Sequence, residues 1–189
     1  GSSVWLKWWV VEFYLHFLLP LTCLNVCGSM MRAEVQANTL SFLTPRPHRR
    51  HTLFLLQYLC HVGWLQLVFF VCTMALFALG VLKQVDGLGK LLPLFLLTQI
   101  LAVFAWSALS ALLGLLHQRF MIIGILYWLV VEYGLGQGEI SNINQLSILR
   151  HLHTLLGQDE KVMVVFNWSQ EAPFMAMVVL LLATLLFLA

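Results

Sequence analysis

The sequence predicts an all-α, polytopic membrane protein, and three observations carry that reading. The first is composition: 61% of the 189 residues are hydrophobic, only 10% are charged, and the mean hydropathy is +0.90. Soluble domains carry about 25% charged residues, and a chain this short has too little interior to hide so many apolar side chains from water. The second is segmentation, because the apolar residues gather into five runs. At about 1.5 Å of rise per residue, about 20 such residues cross a bilayer. The third is one polar, basic stretch, Arg32 to His51, which interrupts two of these runs in a chain that otherwise avoids charge.

The first run extends from Val4 to about Val26. Trp5, Trp8 and Trp9 suit the headgroup level, and Lys7, Glu12 and His16 lie near the same interface. Segment 31–52 follows. Pro45 and Pro47 prevent it from being one unbroken helix. Arg32 to about Phe42 predicts a short helix, and the turn Arg46-Pro47-His48-Arg49-Arg50 leads into the next crossing. The second run spans Leu53 to about Leu82 and the third Leu91 to Leu116, joined by a short turn holding Gly87 and Gly89. The fourth spans Phe120 to about Leu135.

Between the fourth run and the fifth, Pro173 to Ala189, lies segment 136–172, of intermediate polarity. Within it Ile143, Leu146, Leu149, Leu152 and Leu156 recur at helical spacing, with Asn144, Ser147, Arg150, His151 and Thr154 largely opposite. Ser141 or Asn142 can cap this helix and Gly157 can end it. Such a helix lies in the membrane interface rather than across it. The chain opens Gly1-Ser2-Ser3 and stops at Ala189 inside an apolar run, which reads as a piece of a longer protein.

Five crossings put Arg32–His51 and the His117–Arg119 turn on one face. The basic residues divide evenly: Arg32, Arg46, Arg49, Arg50 and Arg119 against Lys7, Lys83, Lys90, Arg150 and Lys161. Clustering within a single loop, beside His48 and His51, favours the cytoplasm for the first group. A net charge of +2 makes no case for nucleic acid.

The chain contains no phosphate-binding glycine loop, no His-Glu-x-x-His and no Gly-x-Ser-x-Gly. Cys23 and Cys27 share a helical face and suit either small buried hydrophobes or a metal or redox pair. His151 and His153, two apart, point in different directions on a helix and do not chelate together. His61, in an apolar run, is a hydrogen-bonded core residue or a ligand. Glu132, near the end of the fourth run, is costly there unless it reaches water, a partner or a cavity. Gly134, Gly136 and Gly138 after it also allow an interfacial glutamate at a helix end. Asn167-Trp168-Ser169 matches a glycosylation acceptor, a pattern common by chance.

The order of residues resembles the type-2 permease family of ATP-binding-cassette transporters. The elements are Arg32 and Glu34 at the end of a crossing, then Thr39-Leu40, Leu43, Pro45, and Arg46, Arg49 and Arg50 before the next. Glu132 near the end of the penultimate crossing is also similar to the family, as are Leu146-Ser147-Ile148 before Arg150 and His151. The resemblance implies one permease domain over residues 1–189, with six crossings in the intact protein, of which five are visible. It implies that 31–52 is a cytoplasmic coupling segment contacting a separate ATPase subunit, and that 136–172 is an extracytoplasmic gate carrying Arg150 and His151. ATP and magnesium would then be bound by the ATPase partner, with no cofactor in this chain. The assembly would be a homo- or heterodimer of permease subunits in a bacterial or archaeal cytoplasmic membrane, working as an exporter. Gln57 stands where the family often has lysine. Two other classes remain: a membrane-embedded enzyme using Glu132 and the histidines, and a lipid-binding scaffold.

Overall fold

The computed structural model describes residues 13–36, 50–82, 88–135, 148–156 and 173–188. These residues are helical apart from the turn at 117–119, with no strand among them. A π-helical stretch over 13–18 runs directly into α1, Leu19–Gln36. Then come α2, Arg50–Leu82; α3, Leu88–Leu116; and α4, Phe120–Tyr127, which continues as a π-helix over Trp128–Leu135. Two shorter helices follow, α5, Ile148–Leu156, and α6, Pro173–Leu188.

Three helices are long and apolar enough to cross a membrane: Phe13–Ala33, Leu55–Leu82 and Leu91–Leu116. Phe120–Val131 and Ala176–Leu185 are shorter apolar helices. The protein is therefore an all-helical integral membrane protein. The first span reaches further along the chain than the apolar run predicts. It continues past Val26 through Gly28, Met30 and Met31, because this stretch packs inside the bundle and does not have to satisfy lipid on every side. The helix also passes Arg32 unbroken to Gln36, where the sequence suggests that a separate short helix begins.

The centre of the bundle is α3, which packs against α1, α2, α4, α5 and α6. Its sequence explains that position. Ala102, Ala105, Ala108 and Ala111, with Ser107 and Ser110, give it a small-residue surface that is almost wholly buried. In a bilayer, where lipid is as apolar as leucine, close backbone approach and interhelical hydrogen bonds take over the role of the hydrophobic effect. The closest approach lies at Gly28 of α1 and Gly114 of α3: a Cβ on Gly114 would stand 2.3 Å from the Gly28 carbonyl oxygen.

Polar side chains stitch α2 to α3 in antiparallel register. The Tyr58 hydroxyl lies 3.0 Å from Ser107 Oγ and 3.2 Å from the Phe104 carbonyl. Gln66 Nε2 donates to the Ile100 carbonyl at 3.0 Å. Thr73 Oγ1 donates to Gln99 Oε1. Tyr14, from the first span, joins this last pair: its hydroxyl is 2.8 Å from the Phe69 carbonyl, 2.9 Å from Thr73 Oγ1 and 3.3 Å from Gln99 Oε1. One phenolic proton serves one of these acceptors at a time. The outer face of α2, with Leu56, Leu59, Trp64, Leu67 and Val71 exposed, suits hydrocarbon rather than water.

Candidate functional site

One exposed line runs the length of the first span at helical spacing: Phe13, Phe17, Leu21, Asn25, Ser29, Ala33 and Gln36. Its first three residues are apolar and suit lipid. From Asn25 onward it turns polar, with Arg32 half-buried beside it. Polar side chains on the open face of a membrane-crossing helix are costly unless they meet water, a partner or one another.

Here they meet an open cleft between α1 and α2. Asn25, Ser29 and Ala33 line it from α1, with Gln57 and His61, one turn apart, from α2. Ser29 Oγ donates back to the Val26 carbonyl at 3.2 Å. His61 Nδ1 lies 2.9 Å from the Gln57 carbonyl of its own helix. That bond fixes Nδ1 as the protonated nitrogen in the neutral ring and leaves Nε2 as the acceptor. His61 is therefore hydrogen-bonded, and it also borders the cleft.

Arg32 sits at the end of the polar line, and its buried Nε has no hydrogen-bond partner. Glu34 lies within α1, Arg50 begins α2, and Glu132 falls within the π-helix after α4; for these three the backbone alone is described. Thr39, Pro45, Arg46 and Arg49 lie outside the described residues. The structure therefore brings together only part of the predicted coupling set, Arg32 and the helix that carries it. Arg150 and His151 are half-buried on α5, and each is engaged with neighbours.

A second constellation involves α5. Ile148, Leu152, Leu155 and Leu156 bury its apolar face. Thr154, expected on the polar face, is also buried, because its hydroxyl is satisfied by the Arg150 carbonyl at 3.1 Å. His153 Nε2 lies 2.7 Å from Nε2 of His16, with the ring centroids 4.5 Å apart. Two imidazole nitrogens at that distance share one proton. Burial, then the neighbouring His16, hold the His153 pKa well below the ordinary histidine value. Trp128 Nε1 donates to the His16 carbonyl at 2.9 Å and the Trp128 ring packs edge-on against Phe17. His16 thus ties the first span to both α5 and the π-helix.

Sequence reasoning missed the His16–His153 pair and, separately, the lining of the cleft by Asn25, Ser29 and Gln57. The available signal was a histidine inside an apolar run, which needs a partner within the membrane. Among the described residues, no group of three or more His, Cys, Asp or Glu side chains could hold a metal ion. Cys23 and Cys27 are free and buried on α1, in keeping with small hydrophobes.

Fold and cleft together define a class: a helical integral membrane protein with an open recess between two spans, lined in part by polar side chains. No family model matches the chain, and no curated protein or solved structure matches it significantly.

Proposed function

We propose that this chain is the transmembrane permease subunit of an ATP-driven transporter of the type-2 ATP-binding-cassette kind, an exporter working as a dimer with two ATPase subunits. The observation that carries the reading is α1. It is a single unbroken helix whose exposed face changes from lipid-suited to polar and whose far end carries Arg32 toward the basic segment 37–49. A polar face inside a membrane suits the passage of hydrophilic groups. An uninterrupted helix transmits displacement of segment 37–49 directly to that face.

In this reading the three long helices and the two shorter apolar ones make five crossings, of six in the intact protein, in a cytoplasmic membrane. Segment 31–52 faces the cytoplasm, and Arg32, Glu34, Thr39, Pro45, Arg46, Arg49 and Arg50 meet the ATPase. Segment 136–172, with α5, Arg150 and His151, and Glu132 before it, forms an outer gate. The chain hydrolyses nothing itself; ATP and magnesium belong to the partner.

Co-purification with an ATPase encoded beside it tests the assembly. Charge reversal at Arg46, Arg49 and Arg50 should then release that ATPase or uncouple its hydrolysis from transport. Intact assembly together with intact coupling in the triple variant would reject the docking role.

A further inference from the structure

The cleft between α1 and α2 has a volume of about 550 Å³, within the range of small-molecule sites. Asn25 and Ser29 line it from α1, Gln57 and His61 from α2, and Val26 and Met30 add apolar surface. Among the described residues that line it there is no acid, lysine or arginine.

The hydrogen-bonding groups left over at this lining have a definite chemistry. Asn25 is exposed and bonds to no described residue. His61 commits Nδ1 to the Gln57 carbonyl, which leaves Nε2 as an acceptor. That nitrogen is accessible: among the described residues only Arg32 Nε and Trp106 Nε1 are both buried and unpartnered. Ser29 Oγ donates to the Val26 carbonyl and keeps its lone pairs for a second partner. The set is therefore rich in acceptors, with the Asn25 amide as its donor. An anion would find too few donors here. A cation would give up its hydration with no carboxylate to replace it. A hydroxyl group carries no charge and both donates and accepts, and its carbon skeleton can rest on Val26 and Met30.

From this lining we infer that the cleft binds an uncharged molecule bearing several hydroxyl groups, which donates to His61 Nε2 on one side and pairs with the Asn25 carboxamide on the other. As a statement about transported cargo this rests on the permease reading. As a binding site it needs no ATPase, so the chain alone can be tested.

The test uses the full chain in lipid nanodiscs at about pH 8, where an ordinary histidine is neutral, with empty nanodiscs as the reference. Saturation-transfer NMR compares glucose with glucuronate, which adds a negative charge, and with tetrahydropyran, which keeps a six-membered ring and lacks hydroxyls. Glucose should show saturable transfer, glucuronate should bind at least about tenfold more weakly, and tetrahydropyran should behave as it does with lipid alone. Asn25→Leu and His61→Phe should each weaken glucose about three- to tenfold. His61→Gln retains an acceptor and should stay within about twofold of wild type. Absence of saturable transfer from glucose, or its survival in the Asn25→Leu, His61→Phe double variant, would overturn the site. Equal binding of glucose and glucuronate, or equal weakening by His61→Phe and His61→Gln, would overturn the chemistry assigned to it. Loss of ATPase co-purification with glucose binding intact would reject the permease reading and leave the site standing.

Discussion

His16 and His153 meet across 137 positions of sequence, nitrogen to nitrogen at 2.7 Å. The contact holds a short amphipathic helix against the first span, and it requires at least one neutral ring. His153 is the ring kept neutral, because burial and then His16 depress its pKa well below 6.5. The other titratable or charged groups on α5 are Arg150 and His151. The π-helix packed against α5 carries Glu132 and Tyr133.

Docking of α5 should therefore depend on pH with a definite sign. A histidine whose folded pKa is depressed binds fewer protons folded than undocked. Stability then rises with pH across the window between the depressed value and about 6.5. The helix is fully held above that window and loosens by up to about tenfold per pH unit as pH falls through it. Hydrogen exchange of 148–156 between pH 5 and 8, in a His151→Gln background that removes the neighbouring titration, reads this directly. Protection that does not change with pH, or that matches the His153→Gln variant at every pH, would sink the latch.

The glycines make a sharper stability prediction, because two of them should respond with opposite signs. Gly114→Ala drives a methyl into the Gly28 backbone, and backbone cannot swing aside as a side chain tip can. A cost of about 1–3 kcal/mol follows from overpacking. Gly63→Ala meets nothing within 4 Å and gains helix propensity, about 0.5–1 kcal/mol in its favour. Unfolding of the reconstituted chain in graded denaturing detergent should rank the variants with wild type between them. Equal behaviour of the two would mean that the α1–α3 crossing is looser than the geometry has it.

Some of this was legible in the sequence, and the reason differs by element. The spans read as Leu53–Leu82 and Leu91–Leu116 match α2 and α3 closely, because lipid imposes length and apolarity without reference to any tertiary partner. The first span was read as ending too early, since Gly28 and Ser29 look like an ending by hydropathy but serve helix packing and the cleft. Thr154 was read as polar surface, yet a threonine that bonds its own helix can be buried. The His16–His153 pair had no local signature, because neither residue's neighbours in sequence announce a contact so distant. The residues of the predicted coupling segment from Thr39 to Arg49 stand on resemblance alone.

The Tyr14–Thr73–Gln99 cluster should contribute modestly despite its burial. Interhelical hydrogen bonds within membranes average about 0.6 kcal/mol and reach about 1.7 kcal/mol. Thr73→Val leaves Gln99 Oε1 with the Tyr14 hydroxyl as its remaining partner, whereas Gln99→Leu removes both its contacts. Each single change should fall within that range. Because the residues share partners, the double variant should cost less than the sum of the two. Strict additivity in a double-mutant cycle would show that the three side chains do not act as a unit.

The polar half of α1 predicts where water reaches. If the cleft is hydrated, Asn25→Cys and Ser29→Cys should react with a charged, membrane-impermeant thiol reagent in liposomes, as should Gln57→Cys across from them. Leu59→Cys is the comparison: Leu59 is 54% exposed, but it lies on the apolar outer face of α2, where hydrocarbon keeps the thiol neutral and the reagent out. The native background needs Cys60 and Cys72 replaced by serine, since Cys60 is exposed and Cys72 partly so, whereas Cys23 and Cys27 are buried. Reaction at positions 25, 29 and 57 at least about tenfold faster than at 59 supports a hydrophilic recess. Slow reaction at all four would mean that lipid or a second copy of the chain seals the cleft, and the polar line of α1 would then mark a helix interface instead of a path.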